Sequence, residues 1–128
     1  MLKISAVSYL NTLPFIYSIS KYFKYCDYEL SLDVPSKCAN KLTNGLVDVA
    51  LVPIAAIPGL KRSKLITAYC IGANGAVASV MLYSQVPLHE ITSVYMDYQS
   101  LTSVKLTKVL AQKYWKIDPN WIEWKRRR

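Results

Sequence analysis

Glycine is scarce in this chain, with four residues in 128, and histidine is scarcer, with one. The glycines form no G-x-G-x-x-G and no P-loop, and no G-x-S-x-G turn is present. These gaps remove the common phosphate cradles and the nucleophile elbow of the α/β hydrolases. The single His89 lies beside Glu90 in a polar stretch and reads as an exposed residue, not a catalytic base. Cys26, Cys38 and Cys70 are odd in number and widely spaced, with no C-x-x-C pair, so neither a zinc site nor a redox dithiol is indicated. Cys38 and Cys70 stand in apolar contexts and read as small buried hydrophobes, in keeping with a reducing compartment. No apolar run reaches the roughly 18 residues of a membrane span. The start, Met1-Leu2-Lys3-Ile4-Ser5, lacks a charged region followed by an apolar core and cleavage site, and reads as cytoplasmic.

Acidic residues are also few, 8 against 16 basic ones, which leaves a formal charge of +8. Nucleic acid is the reflex explanation, but the distribution argues otherwise. Four of the 16 basic residues are Lys125, Arg126, Arg127 and Arg128, and the rest are scattered singly or in pairs. That is the pattern of a solvated tail, and Trp115, Trp121 and Trp124 belong to no RNA-binding motif. What remains is a globular composition, 52% hydrophobic and 19% charged, at the length of one ordinary domain.

The order of elements reads as α/β. Lys3 to Val7 is an apolar strand. Asn11 or Thr12 can cap the helix that follows, with Pro14 in its first turn and Phe15, Ile16, Ile19, Tyr22 and Phe23 on one face. Tyr28 to Val34 alternates as a second strand. Pro35-Ser36 opens a short helix with Cys38, Ala39 and Leu42 inward, which Asn44-Gly45 closes. Val47 to Val52, nearly all apolar apart from Asp48, reads as a central parallel strand covered on both faces. Further strands are expected at Leu65 to Ile71, Ala78 to Ser84 and Val94 to Asp97, with a glycine turn at Gly72-Ala73-Asn74-Gly75. A helix follows with Val104, Leu106, Val109, Leu110 and Tyr114 apolar, and Ile117 to Trp124 has no strong period. Alternating strands and helices imply a parallel layer architecture. Residues 85–92 are the best linker, dividing a first lobe, 1–84, from a strand–helix unit with a basic tail, 93–128.

Two stretches carry the same polar design. Ser8-Tyr9-Leu10-Asn11-Thr12 and Ser100-Leu101-Thr102-Ser103 each place hydroxyls where a strand turns into a helix. Backbone N–H groups at such a turn, with side-chain donors, can hold an anion. Two of them would suit a small dicarboxylate. The plain alternative is that Asn11, Thr12, Thr102 and Ser103 only cap their helices. Asp97, at a strand's carboxyl end, is a better site candidate than Asp48, which can bond neighbouring backbone groups.

The strings KISAVSYLNTLPFIY, VPSKCANKLTNGLVDVALVPIAAI, YCIGANGAVASVMLYSQVPLHEI and VYMDYQSLTSVKLTKVL run in the order and spacing of the MqnA family. These are chorismate dehydratases of the futalosine route to menaquinone, and the chain resembles them up to about Tyr114. The resemblance implies a two-lobed, periplasmic-binding-protein-like fold, here with the first lobe lacking its C-terminal return and the second only begun. It implies conversion of chorismate to 3-[(1-carboxyvinyl)oxy]benzoate and water without a cofactor. Matched by motif, Ser8 and Asn11 face the substrate from the first lobe, with Asn11 positioning it. Ser79 faces it too, and Thr102 and Ser103 hold a carboxylate. The chain departs from the family at Ala73-Asn74-Gly75-Ala76, where Ser-Asp-Gly-Pro is common, and at Ala78, where arginine is frequent. Family members run far longer, so the resemblance implies a shortened chain with no useful turnover alone. The charge distribution and the lack of a long apolar run point to no nucleic-acid or membrane partner, and the shortened chain implies exposed apolar faces open to self-association. Two other readings stand beside it: a non-catalytic small-anion-binding protein of the same fold, and the related enzyme that makes dihydroxynaphthoate.

Overall fold

The computed structural model describes residues 1–124 of the chain. They divide into two compact units, Met1–Gly72 and the residues from Ala73 onward. The basic tail expected at Lys125 to Arg128 lies outside the described residues.

The first unit is built on β1 (Leu2–Val7), whose Ile4, Ser5, Ala6 and Val7 are all buried. A strand covered on both faces sits in the middle of a sheet, and β1 does so. It pairs in parallel with β2 (Tyr28–Asp33) on one side and with β3 (Val49–Ala50) on the other. The order is therefore β2-β1-β3. A 3-10 turn, Leu10–Thr12, leads into α1 (Leu13–Tyr22). A second helix, α2 (Pro35–Thr43), follows β2. In α2, Cys38 and Ala39 are buried, Asn44 caps the end and Gly45 takes φ +66°, the left-handed stop expected of Asn44-Gly45. In α1 no residue is buried, and Tyr22 and Phe23, expected on its inner face, are exposed.

The expected central strand at Val47 to Val52 is corrected. Only Val49–Ala50 is strand, it is half-buried, and it forms the edge beyond β1. Its start is held by Asp48, which bonds Lys3 twice. The Asp48 N–H donates to the Lys3 carbonyl at 2.9 Å, and the Lys3 N–H donates to Asp48 Oδ2 at 2.8 Å. A carboxylate occupies the place of a carbonyl in the ladder, which shortens the strand. Beyond it, Ile54–Gly59 winds into a 3-10 helix with Ala56 buried.

The strands expected at Leu65 to Ile71 and Ala78 to Ser84 are also corrected. Both stretches are irregular and exposed, and Cys70, expected to be buried, is exposed with them. A β-rich composition becomes a strand only when a neighbour takes its N–H and C=O groups, and no described residue pairs with either stretch. At the glycine turn between them Gly75 takes φ +98°.

In the second unit, β4 (Ser93–Asp97), α3 (Leu101–Leu110) and β5 (Asn120–Trp124) form a β-α-β arrangement with the strands parallel and Asp97 opposite Trp124. The strand β5 had no clear period in the sequence. Helix α3 continues into a π-helical turn, Ala111–Trp115, which ends at Lys116 with φ 54°. Its inward stripe is Val104, Thr107, Lys108 and Ala111, at helical spacing, with Lys108 Nζ 5.5 Å above the Trp121 ring. Leu106, Val109 and Tyr114 are exposed instead.

Candidate functional site

Parallel strands bring their carboxyl ends to one edge of a sheet. In the first unit that edge carries the Ser8–Thr12 turn from β1, the start of α2 after Asp33, and Leu51 to Pro53 after β3. The connection from β1 goes to one neighbour, and the connection from β2 crosses to the other. The β1/β3 border is thus the switch point where open α/β sheets take ligands.

The Ser8–Thr12 turn is fixed at its root. The Ser8 N–H donates to the Asp33 carbonyl at 2.9 Å, continuing the register of Val7 with Asp33. The Thr12 N–H donates to the Tyr9 carbonyl, the Leu13 N–H to the Leu10 carbonyl, and Pro14 has none. The 3-10 turn therefore takes up the Thr12 and Leu13 donors at the amino end of α1. Among the described residues, the N–H groups of Tyr9, Leu10 and Asn11 have no protein acceptor. Neither Asn11 nor Thr12 caps α1 with its side chain. The exposed side chains of Ser8 and Asn11 have no protein partner among the described residues, which leaves a hydroxyl and a carboxamide free at the strand's end. Thr12 is fully buried, and its Oγ1 has no hydrogen-bond partner among the described residues.

Behind this turn lies a cluster that the sequence did not single out. Asp33, the last residue of β2, is 7% exposed. Its carboxylate accepts from Lys37 Nζ at 2.7 Å, from Lys41 Nζ, from Ser31 Oγ at 3.0 Å and from Ser5 Oγ at 3.1 Å. The lysines stand one and two turns along α2, on the same helix face. Lys37, then Lys41, hold the Asp33 carboxyl well below the usual carboxylate range, with the two serines adding to them against the cost of burial. The same pairing raises the Lys37 ammonium. Burial pushes the adjacent Cys38 thiol up, as suits an inert core cysteine. A D-V-P-S-K-x3-K run was the available sign: a strand-ending acid with lysines four and eight residues on. A cavity of about 190 Å³ is lined by Lys3, Glu29, Ser31, Lys41 and Leu46, and no residue of the Ser8 turn lines it.

In the second unit Asp97 ends β4 and accepts the Gln99 N–H at 3.0 Å, turning the chain toward α3. Ser100 is the N-cap: its Oγ accepts the Ser103 N–H at 3.3 Å and donates to Ser103 Oγ at 2.6 Å. The capping role thus falls on Ser100, and Ser103 is drawn into it. Thr102 is half-buried, with no side-chain partner among the described residues. A groove of about 400 Å³ runs along Tyr95, Met96, Asp97 and Trp124 at the same strand ends.

Of the sequence candidates, Ser8 and Asn11 share the first unit's turn, and Thr102 and Ser103 share the first turn of α3. Ser79 lies in an exposed turn of the irregular stretch, not in a strand. His89 is exposed and pairs with Glu90 at 3.4 Å. Among the described residues no three His, Cys, Asp or Glu side chains gather as a metal site, and no helix is long and apolar enough to cross a membrane.

A family model described as menaquinone biosynthesis matches residues 2–127. The match takes in both polar turns and the Asp33 cluster, and it agrees with the resemblance carried by SYLNT, DVALVP and LTSV. The chain belongs to this menaquinone-biosynthesis family, that of MqnA.

Proposed function

We propose that this chain binds chorismate and serves the hydro-lyase step that turns it into 3-[(1-carboxyvinyl)oxy]benzoate and water, in the futalosine route of menaquinone biosynthesis. The observation that carries the reading is the Ser8–Thr12 turn. It sits at the sheet's switch point with the Ser8 hydroxyl and Asn11 carboxamide free. On this reading residues 1–84 belong to the first lobe and the β4–α3–β5 unit to the second lobe of a periplasmic-binding-protein-like fold, in a cytoplasmic enzyme.

The chemistry asks little of a strong base. One ring C–H breaks, the neighbouring C–OH bond breaks, and the third double bond of the aromatic ring forms. The proton and hydroxide leave together as water. Conjugation with the ring carboxylate eases the first event, and aromatisation drives the second. The protein's work is to fix two carboxylates and orient the ring. Asn11 positions the substrate beside Ser8. Thr102, with its hydroxyl free, and Ser103 bind a carboxylate at the start of α3, and Ser79 is a further contact. None of the motifs matched to the family supplies a strong base, and on this reading a substrate carboxylate serves as the proton acceptor.

Isothermal titration of chorismate into the 128-residue chain and its Asn11→Ala variant tests this. Saturable heat is expected from the first, with affinity about tenfold lower in the variant, the size of one lost charge-assisted hydrogen bond. Absence of binding by the unaltered chain, or equal binding by both, overturns the reading.

A further inference from the structure

We infer that Asp33 is a positioning residue for the Ser8–Thr12 turn: it touches no ligand, yet it sets where Ser8 and Asn11 stand. Its main-chain carbonyl receives the Ser8 N–H at 2.9 Å, the last ladder bond before the chain leaves β1. The Cys38 thiol lies 3.8 Å from the same oxygen. Its side chain is anchored in three elements at once. Ser5 ties it to β1, Ser31 ties it to its own strand, and Lys37 and Lys41 tie it to α2.

The end of a strand is where a ladder frays, because its last residue has bonds on one side only. At this position fraying would release Ser8 and let the turn drift. Cross-bonding of the carboxylate prevents this. Four donors hold the side chain, so the carbonyl on the same residue stays in place. Lys41 adds a second brace by also donating to Ser31 Oγ at 2.9 Å. Thr12 buries the far end of the turn, but the neighbouring helix α1 buries none of its residues, so the Ser8 end depends on Asp33. The geometry therefore makes the Asp33 cluster the fixed base from which the Ser8 and Asn11 side chains project.

Amide hydrogen exchange on the whole chain tests this, with Asp33→Asn as the main variant and Leu30→Ala as a control that weakens the middle of β2. In Asp33→Asn the Ser8 amide is expected to exchange about tenfold faster, with Ile4 and Ala6, which also face β2, within about twofold of the unaltered chain. In Leu30→Ala all three should accelerate together. Should Asp33→Asn fail to fold, Lys37→Ala removes only the more exposed brace, and a smaller selective acceleration at Ser8 is expected. Uniform acceleration along β1, or an unchanged Ser8, overturns the inference. The ligand arm rests on the chorismate reading: Asp33→Asn should weaken chorismate binding about tenfold. If the unaltered chain binds no chorismate, that reading falls, while the exchange result still decides the role of Asp33. If Asp33→Asn binds as well as the unaltered chain, the positioning role falls alone.

Discussion

Single residues at the head of α1 divide by whether their polar groups find partners. Asn11 and Ser8 face outward with theirs free, which costs nothing while water is present. Thr12 is different, because its Oγ1 is fully buried without a partner. A buried hydroxyl left unpaired costs about 1–3 kcal/mol. Replacing it by a methyl of similar shape removes that cost. Thr12→Val is therefore expected to stabilise the chain by about 1 kcal/mol, read as a higher urea midpoint. A lower midpoint would show that the hydroxyl is satisfied after all. The serine and asparagine were legible in the sequence as polar residues at a strand–helix turn. Which would cap, which would stay free and which would be buried was not, because the intervening 3-10 turn rotates each side chain by an amount that spacing does not reveal.

At the scale of elements, strands fared worse than helices. Helix α2 needed only its proline start, its apolar positions and Asn44-Gly45, all within one stretch of chain. Strands depend on neighbours remote in sequence. Leu65 to Ile71 has a strand's composition but no ladder, whereas Asn120–Trp124 has no clear period yet pairs along its whole length with β4. The end of α3 shows the local rule at work. The π-helical turn closes on Lys116 at φ 54°, where the Cβ of any residue but glycine is crowded. The Lys116 and Ile117 N–H groups both reach back to the Ala111 carbonyl, so this conformation is built into the stop. Lys116→Gly should stabilise the second unit by about 0.5–1 kcal/mol. A lower thermal midpoint in the variant would mean that the lysine side chain contributes more than its backbone strain takes away.

For the molecule as a whole, charge and packing set the conditions of stability. The Asp33 carboxyl is depressed in the folded chain and ordinary, near 3.9, in the unfolded one. Below about pH 4 the unfolded state therefore binds the extra proton, and stability falls as pH falls. The contribution is present in full at neutral pH. Denaturant unfolding of the unaltered chain should weaken steeply between about pH 4 and 2, with a shallower loss in Asp33→Asn. Parallel slopes would remove Asp33 as the source. Many large apolar side chains, among them Leu10, Tyr17, Ile54, Leu65 and Met81, are exposed.

The sequence by itself determined the α/β class, the polar turn after β1, the Asn44-Gly45 stop of α2 and the family, because each is written in contiguous residues or in motifs of fixed order. Only the tertiary structure decided that β1 and not Val47 to Val52 is the central strand, that two strand-like stretches stay unpaired, and that Asp33 holds the start of the Ser8–Thr12 turn. Those outcomes depend on which distant groups complete each other's hydrogen bonds, as Lys37 and Lys41 do for Asp33, and Asp33 in turn does for Ser8.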